Sequence, residues 1–162
     1  MLSQATPDVS SAPLDAFRHL APVSDGYARL PVADAFTWSA CSDAIGTGEW
    51  YLVAFRSVRR ADADEARLTA HDDRAHAEAT NCAGFVHYTK GPTADDGSCL
   101  SFCLWTSRHD ARAAAGKPGH AEAALIVHEM YDSYRLEFLR MWKTDPGTAL
   151  QFEPFDQPAN PS

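Results

Sequence analysis

The residues of this sequence best able to do chemistry are its histidines, and their spacing limits what they can do together. His71 and His76 bracket the run His-Asp-Asp-Arg-Ala-His. In a helix Asp72 and His76, four apart, share a face, so Asp72 can orient the ring and raise its pKa. His71 and His76, five apart, lie about 140° from each other around a helix and cannot easily grip one metal ion. His120 and His128 are eight apart, about 12 Å along a helix axis, and face the same obstacle. No H-E-x-x-H or H-x-H run is present, so zinc and non-heme iron lack support. His87 stands in Phe-Val-His-Tyr, where apolar neighbours would bury it as a neutral base or a satisfied core side chain. His87, His76 and His120 are the candidate bases.

The second chemical inventory is aromatic. Trp50, Trp105, Trp142, Tyr51, Tyr88, Tyr131 and Tyr134 fall on strands or their ends. Most are expected to pack a core, yet a flat ligand would want such walls and a few polar groups to orient it. Arg56 interrupts an apolar strand face. Buried, it needs an anionic partner, from the protein or from a ligand carboxylate or enolate; near a strand end it only snorkels. Cys41, Cys82, Cys99 and Cys103 are read as reduced thiols. Cys99 and Cys103 on one strand would sit about 13 Å apart, beyond disulfide reach. Ser-His-Asp order, G-x-S-x-G, P-loop and G-x-G-x-x-G are all missing, which removes motif support for hydrolase, kinase and dinucleotide chemistry.

The elements that must position these groups are legible from Trp50 onward. Trp50–Val58 reads as a strand. Ala63 to about Thr80 reads as a helix capped by Asp62 or Asp64. Phe85–Lys90 and Cys99–Trp105 make a hairpin around Gly91-Pro92 and Asp95-Asp96-Gly97. A second helix starts after Ser107, breaks near Gly116–Gly119 and resumes from His120 to Tyr131. Tyr134–Lys143 is the last strand. The order is βαββαβ, an α+β ferredoxin-like arrangement with a four-stranded antiparallel sheet.

The domain spans 49–145. It follows a 1–48 extension, in which 1–12 is frayed and the remainder packs on the barrel, and precedes a 146–162 tail. Leu14–Leu20 can form two helical turns, and Phe36 and Trp38 are too apolar to be left in water. Both strand faces are apolar, so the face away from the helices needs a cover; a second sheet from a twofold partner, making a homodimer, is the expected one.

Charge narrows the partners. Twenty-two acidic residues against 14 basic give a net charge of −8. The one basic group, Arg56–Arg59–Arg60, is followed by Asp62, Asp64 and Glu65. Nucleic acid and anionic membrane are therefore excluded as partners, no apolar run reaches the roughly 20 residues of a membrane span, and no signal-peptide pattern opens the chain. The cytoplasm is the expected address.

The stretch Leu100-Ser-Phe-Cys-Leu-Trp-Thr-Ser107, with Arg108-His-Asp-Ala-Arg and Gly119-His-Ala-Glu-Ala, resembles the antibiotic biosynthesis monooxygenase and dimeric α/β-barrel superfamily over residues 50–143. The resemblance implies a small-molecule enzyme, with cofactor-independent oxygenation of an aromatic or polyketide-like substrate as the leading activity; isomerisation or cyclisation would use the same layout. His87, His76 or His120 would take the proton and Asp72 would orient. Arg56, Tyr88, Trp105, His128 and Tyr131 would bind substrate. The resemblance also places His120 where heme-using members hold iron, so heme or ligand binding, with or without turnover, is the alternative. The first strand lacks the Asn and the second helix the Trp of heme-degrading members. A non-catalytic dimeric partner protein is the third reading.

Overall fold

The computed structural model describes residues 16, 17 and 19–155; the ends expected to fray, 1–12 and 156–162, and residues 14, 15 and 18 of the turns expected over Leu14–Leu20 lie outside these. A 3₁₀ turn (Tyr27–Arg29) and two short helices, α1 (Val32–Ala35) and α2 (Ser39–Ser42), precede the strand β1 (Gly48–Arg59). Then come α3 (Glu65–Thr80), β2 (Phe85–Thr89), β3 (Ser98–Trp105), α4 (Arg108–Ala115), α5 (Pro118–Leu125), α6 (Val127–Met130), β4 (Tyr131–Lys143) and β5 (Gln151–Pro154). Local chemistry sets the starts: the Asp64 carboxylate accepts from the Arg67 amide at 3.1 Å and Ser107 Oγ from the Asp110 amide at 3.1 Å, each satisfying a donor that a helix N-terminus leaves free.

The expected ferredoxin-like order is present, and the sheet is antiparallel in the order β2-β3-β1-β4-β5. It has five strands rather than the four read from sequence. β5 lies in the segment read as a tail, and its pairing with β4 sets Phe152 opposite Met141, from where the Phe152 ring reaches Trp38 at 4.9 Å.

Both faces of the sheet are apolar, and each has its own cover. Leu52, Ala54, Leu100, Phe102, Leu104 and Met141 form one face. Phe17, Tyr27, Phe36, Trp38, Cys41 and Ile45 of the extension are buried against it. Trp38 stands at the centre, 5.2 Å from the Phe102 ring and donating its indole N–H to Val32 O at 2.9 Å. The cover expected from a partner's sheet is thus supplied by the chain itself. Alternating apolar residues require that a face be covered; they do not say by what.

Three polar pins hold this cover. Tyr27 donates its hydroxyl to Pro92 O at 2.6 Å and accepts from the Leu100 amide. Arg56 donates Nη1 to Ala28 O (2.6 Å) and Leu30 O (2.9 Å), while Glu137 receives its Nε and Nη2. Lys143, 2% exposed, donates Nζ to Ser42 O and Ile45 O, so its buried charge is solvated by carbonyls. If the extension is part of the core, Trp38→Ala costs about 3–5 kcal/mol, the usual price of truncating a buried Trp. Urea unfolding measures it, and a loss under about 1 kcal/mol would mean the extension packs only loosely.

Candidate functional site

The other face of the sheet is built from alternate residues of β1, namely Tyr51, Val53, Phe55, Ser57 and Arg59. Strand register fixes their neighbours. Trp105 lies beside Tyr51; Cys103 and Phe138 flank Val53; Ser101 and Leu136 flank Phe55; Cys99 and Tyr134 flank Ser57; Tyr131 pairs with Arg59. Along β1 this floor therefore runs from apolar to cationic. Helix α3 forms the roof with Leu68, His71, Asp72, Ala75, His76 and Ala79, at the spacing of a single helical stripe. His120, Ala123 and Ala124 of α5 complete it.

Alanines on these helices leave space that longer side chains would fill. The result is a cavity of 420 Å³, within the roughly 300–1,000 Å³ typical of small-molecule sites. Its open side runs along β4, where Tyr134, Leu136 and Phe138 are 37–43% exposed, with Leu125 of α5 at 78%.

Six of the residues singled out from sequence converge here: His76, His120, Asp72, Tyr88, Trp105 and Tyr131. The His76 ring lies 4.9 Å from that of Tyr88. Burial pushes the Tyr88 phenol well above its ordinary pKa and Tyr131 up to about 12, so both stay protonated donors at neutral pH. His120 is fixed by Glu78 of α3. That carboxylate accepts from the Gly119 and His120 amides and lies 3.3 Å from His120 Nδ1. It caps α5, which has no side-chain cap of its own. The Gly119 amide, foremost among these donors, holds the Glu78 carboxyl below its usual range.

Three expected residues sit elsewhere, and one pairing differs. Arg56 lies on the opposite face, where Glu137 and the extension's carbonyls occupy its guanidinium. His87 also lies on that face, stacked on Phe17 at 4.7 Å with Nε2 2.7 Å from Thr89 Oγ1. A register shift between Phe85 and His87 turns it there. His128, on α6, does not line the cavity. Among the described residues no hydrogen bond joins Asp72 to His76; Asp72 Oδ2 lies 3.7 Å from Lys90 Nζ instead. Burial raises the Asp72 pKa, while Lys90 and Arg59 pull it back.

Sequence reasoning gave Arg59, Lys90, Ser101 and Phe138 no place in a site, and named His71 and Tyr134 without assigning them a role there; all six line the cavity. Arg59 and Ser57 share strand parity with Phe55, a signal present in the sequence. Among the described residues no three His, Cys, Asp or Glu side chains are grouped to hold a metal ion, and no helix is long and apolar enough to cross a membrane.

A family model described as PB2B2.08-like matches residues 1–154, taking in extension and sheet together. The chain belongs to the PB2B2.08-like family. No curated protein matches its sequence. Among solved structures, Rv0793 from Mycobacterium tuberculosis is 22% identical over 61% of this PB2B2.08-like chain and 99% of its own, with a TM-score of 0.50. A candidate antibiotic biosynthesis monooxygenase from Nitrosomonas europaea is 14% identical over 64% and 98%, also at 0.50. SnoaB from Streptomyces nogalater, a cofactor-independent oxygenase, is 22% identical over 56% and 90%, at 0.46. The likeness is one of fold: the ferredoxin-like α+β arrangement expected from the resemblance to antibiotic biosynthesis monooxygenases is shared with these structures.

Burial, helped by the nearby charge of His76, lowers the His87 pKa to about 4 from 6.5. Between these values the unfolded chain binds the proton and the folded chain does not, so stability falls as pH drops from 6.5 to 4. His87→Phe removes this term. Thermal melts should show the wild type losing more Tm than the variant over that interval; parallel losses would mean His87 is accessible to solvent protons.

Proposed function

We propose that the protein is a small-molecule enzyme that oxygenates an enolisable aromatic substrate in the cavity between helices and sheet, without a cofactor. The observation that carries this reading is the close His76–Tyr88 pair, rings 4.9 Å apart and tilted by 42°, inside a cavity walled by Trp105, Phe85, Phe55 and Phe138. Flat apolar walls take an aromatic ring system. His76 removes the acidic C–H or O–H proton, and Tyr88 donates its hydroxyl to the developing enolate oxygen. The electron-rich anion passes an electron to O₂, the two radicals combine as a peroxide, and loss of water leaves a carbonyl. Overall an anthrone-type CH₂ and O₂ give C=O and H₂O. His120, held by Glu78, is the second base available. Monooxygenase chemistry is the activity in the name of the Nitrosomonas europaea structure.

A second reading has heme bound through His120, favoured by the carboxylate that fixes this ring. Heme would supply redox chemistry at its iron. A Soret band in the purified protein would support it.

Anthrone in an oxygen electrode tests the leading reading. The wild type should consume one O₂ per anthraquinone formed, and His76→Ala should slow turnover by roughly 10²–10⁴ with the fold intact. No uptake above the buffer rate would count against oxygenation; full activity in the variant would remove His76 as the base.

The proposal includes a homodimer. With the face beneath the extension occupied, the surface we assign to a second copy is the exposed apolar run of Tyr134, Leu136 and Phe138 on β4, with Leu125 exposed on α5. Sedimentation equilibrium should give twice 17.7 kDa, and Phe138→Glu should halve it. A wild-type monomer at micromolar concentration would remove this part.

A further inference from the structure

The protein as a whole is acidic, at −8, yet the cavity is not. Its charged lining is Arg59, Lys90 and Arg112 against one carboxylate, Asp72. Arg59 and Lys90 flank Asp72 at the end where Tyr131 pairs with Arg59; Arg112 stands on α4. Asp72 answers Lys90 at 3.7 Å. Arg59 reaches Glu65 through Nη1 at 3.3 Å, a contact with a carboxylate that is 78% exposed and so worth little. The Arg59 Nε is buried and has no hydrogen-bond partner among the described residues. A buried guanidinium N–H left unpaired is costly, and a ligand oxygen would relieve it.

We propose that the Arg59–Lys90 end of the cavity binds a carboxylate carried by the aromatic substrate, so that the preferred ligands are flat aromatic acids. This deepens the function proposed above and rests on it. Arg59 supplies the planar fork that matches a carboxylate, and Lys90 adds a point charge beside it. Asp72 marks this end on α3, and His76 follows one helical turn later, about 6 Å along the axis. A carboxylate held at Arg59 therefore sets the attached rings over Phe55 and Leu136, with a ring carbon beneath His76 and Tyr88. Charge selects the substrate at one end and the base meets it in the middle.

Two fluorescent probes of nearly equal shape separate charge from ring binding: anthracene-9-carboxylate and 9-anthracenemethanol. Titrated into the full chain at pH 7.5, the carboxylate should bind at least about tenfold tighter, the equivalent of 1.4 kcal/mol. Arg59→Met should abolish that preference while shifting alcohol binding less than about twofold, the retained alcohol affinity reporting an intact cavity. Lys90→Met should reduce the preference in part, Arg59→Lys should restore some of it, and Arg112→Met should leave it in place. Equal affinity of the wild type for both probes would overturn the carboxylate site and leave the aromatic-substrate reading standing. So would a preference that survives both Arg59→Met and Lys90→Met. If neither probe binds, the carboxylate site and the aromatic-substrate reading fall together.

Discussion

A sheet with apolar side chains on both faces has to be covered twice, and in this protein the two covers are different in kind. On one side the extension presses Trp38, Phe36, Tyr27 and Ile45 onto Phe102 and Leu52 until each is at most 6% exposed. Burying side chains of this size contributes about 1.5–3 kcal/mol each, and the Tyr27, Arg56 and Lys143 hydrogen bonds fix the register of the cover. Large side chains interdigitate there among the described residues. On the other side the covering helices present alanines, and space remains.

That asymmetry decides where chemistry can occur. Groups on the covered face, His87 and Arg56 among them, are engaged by the protein itself, His87 by Phe17 and Arg56 by Glu137 and backbone carbonyls. Groups of the opposite parity meet the cavity. The α3 stripe then brings His71, Asp72 and His76 over a floor graded from Trp105 to Arg59, and Glu78 ties α3 to the start of α5, so that His120 is placed by the same helix. Roof and floor are each continuous elements, which is why a few side chains can hold a position.

Much of the fold was legible in the residues. Aromatic and β-branched runs mark the strands, Asp64 and Ser107 mark helix starts, and the βαββαβ order follows from their sequence. β5 escaped because four residues ending in Pro154 carry little strand signal of their own; Phe152 finds its place through Trp38. The site was legible in part, for one reason. When both faces of a strand are apolar, parity says which residues travel together but not which set meets the helices. Arg56 was therefore favoured over Arg59, although Arg59 shares parity with Phe55. His87 was expected to be buried by its apolar neighbours and is packed on Phe17, but the irregularity after Phe85 turns it to the face away from the cavity. Helical spacing was the safer guide: it put Asp72 and His76 on one face, although Asp72 turned to Lys90, a partner distant in sequence.

The proposed ligand site lies between helices and sheet and not beneath the extension. Hydrogen-exchange mass spectrometry, with and without saturating anthracene-9-carboxylate, tests it most directly. Slowed exchange in 68–79 of α3 and 131–138 of β4, with residues 20–45 unchanged, is the predicted result. Protection of the extension with α3 unaffected would contradict it.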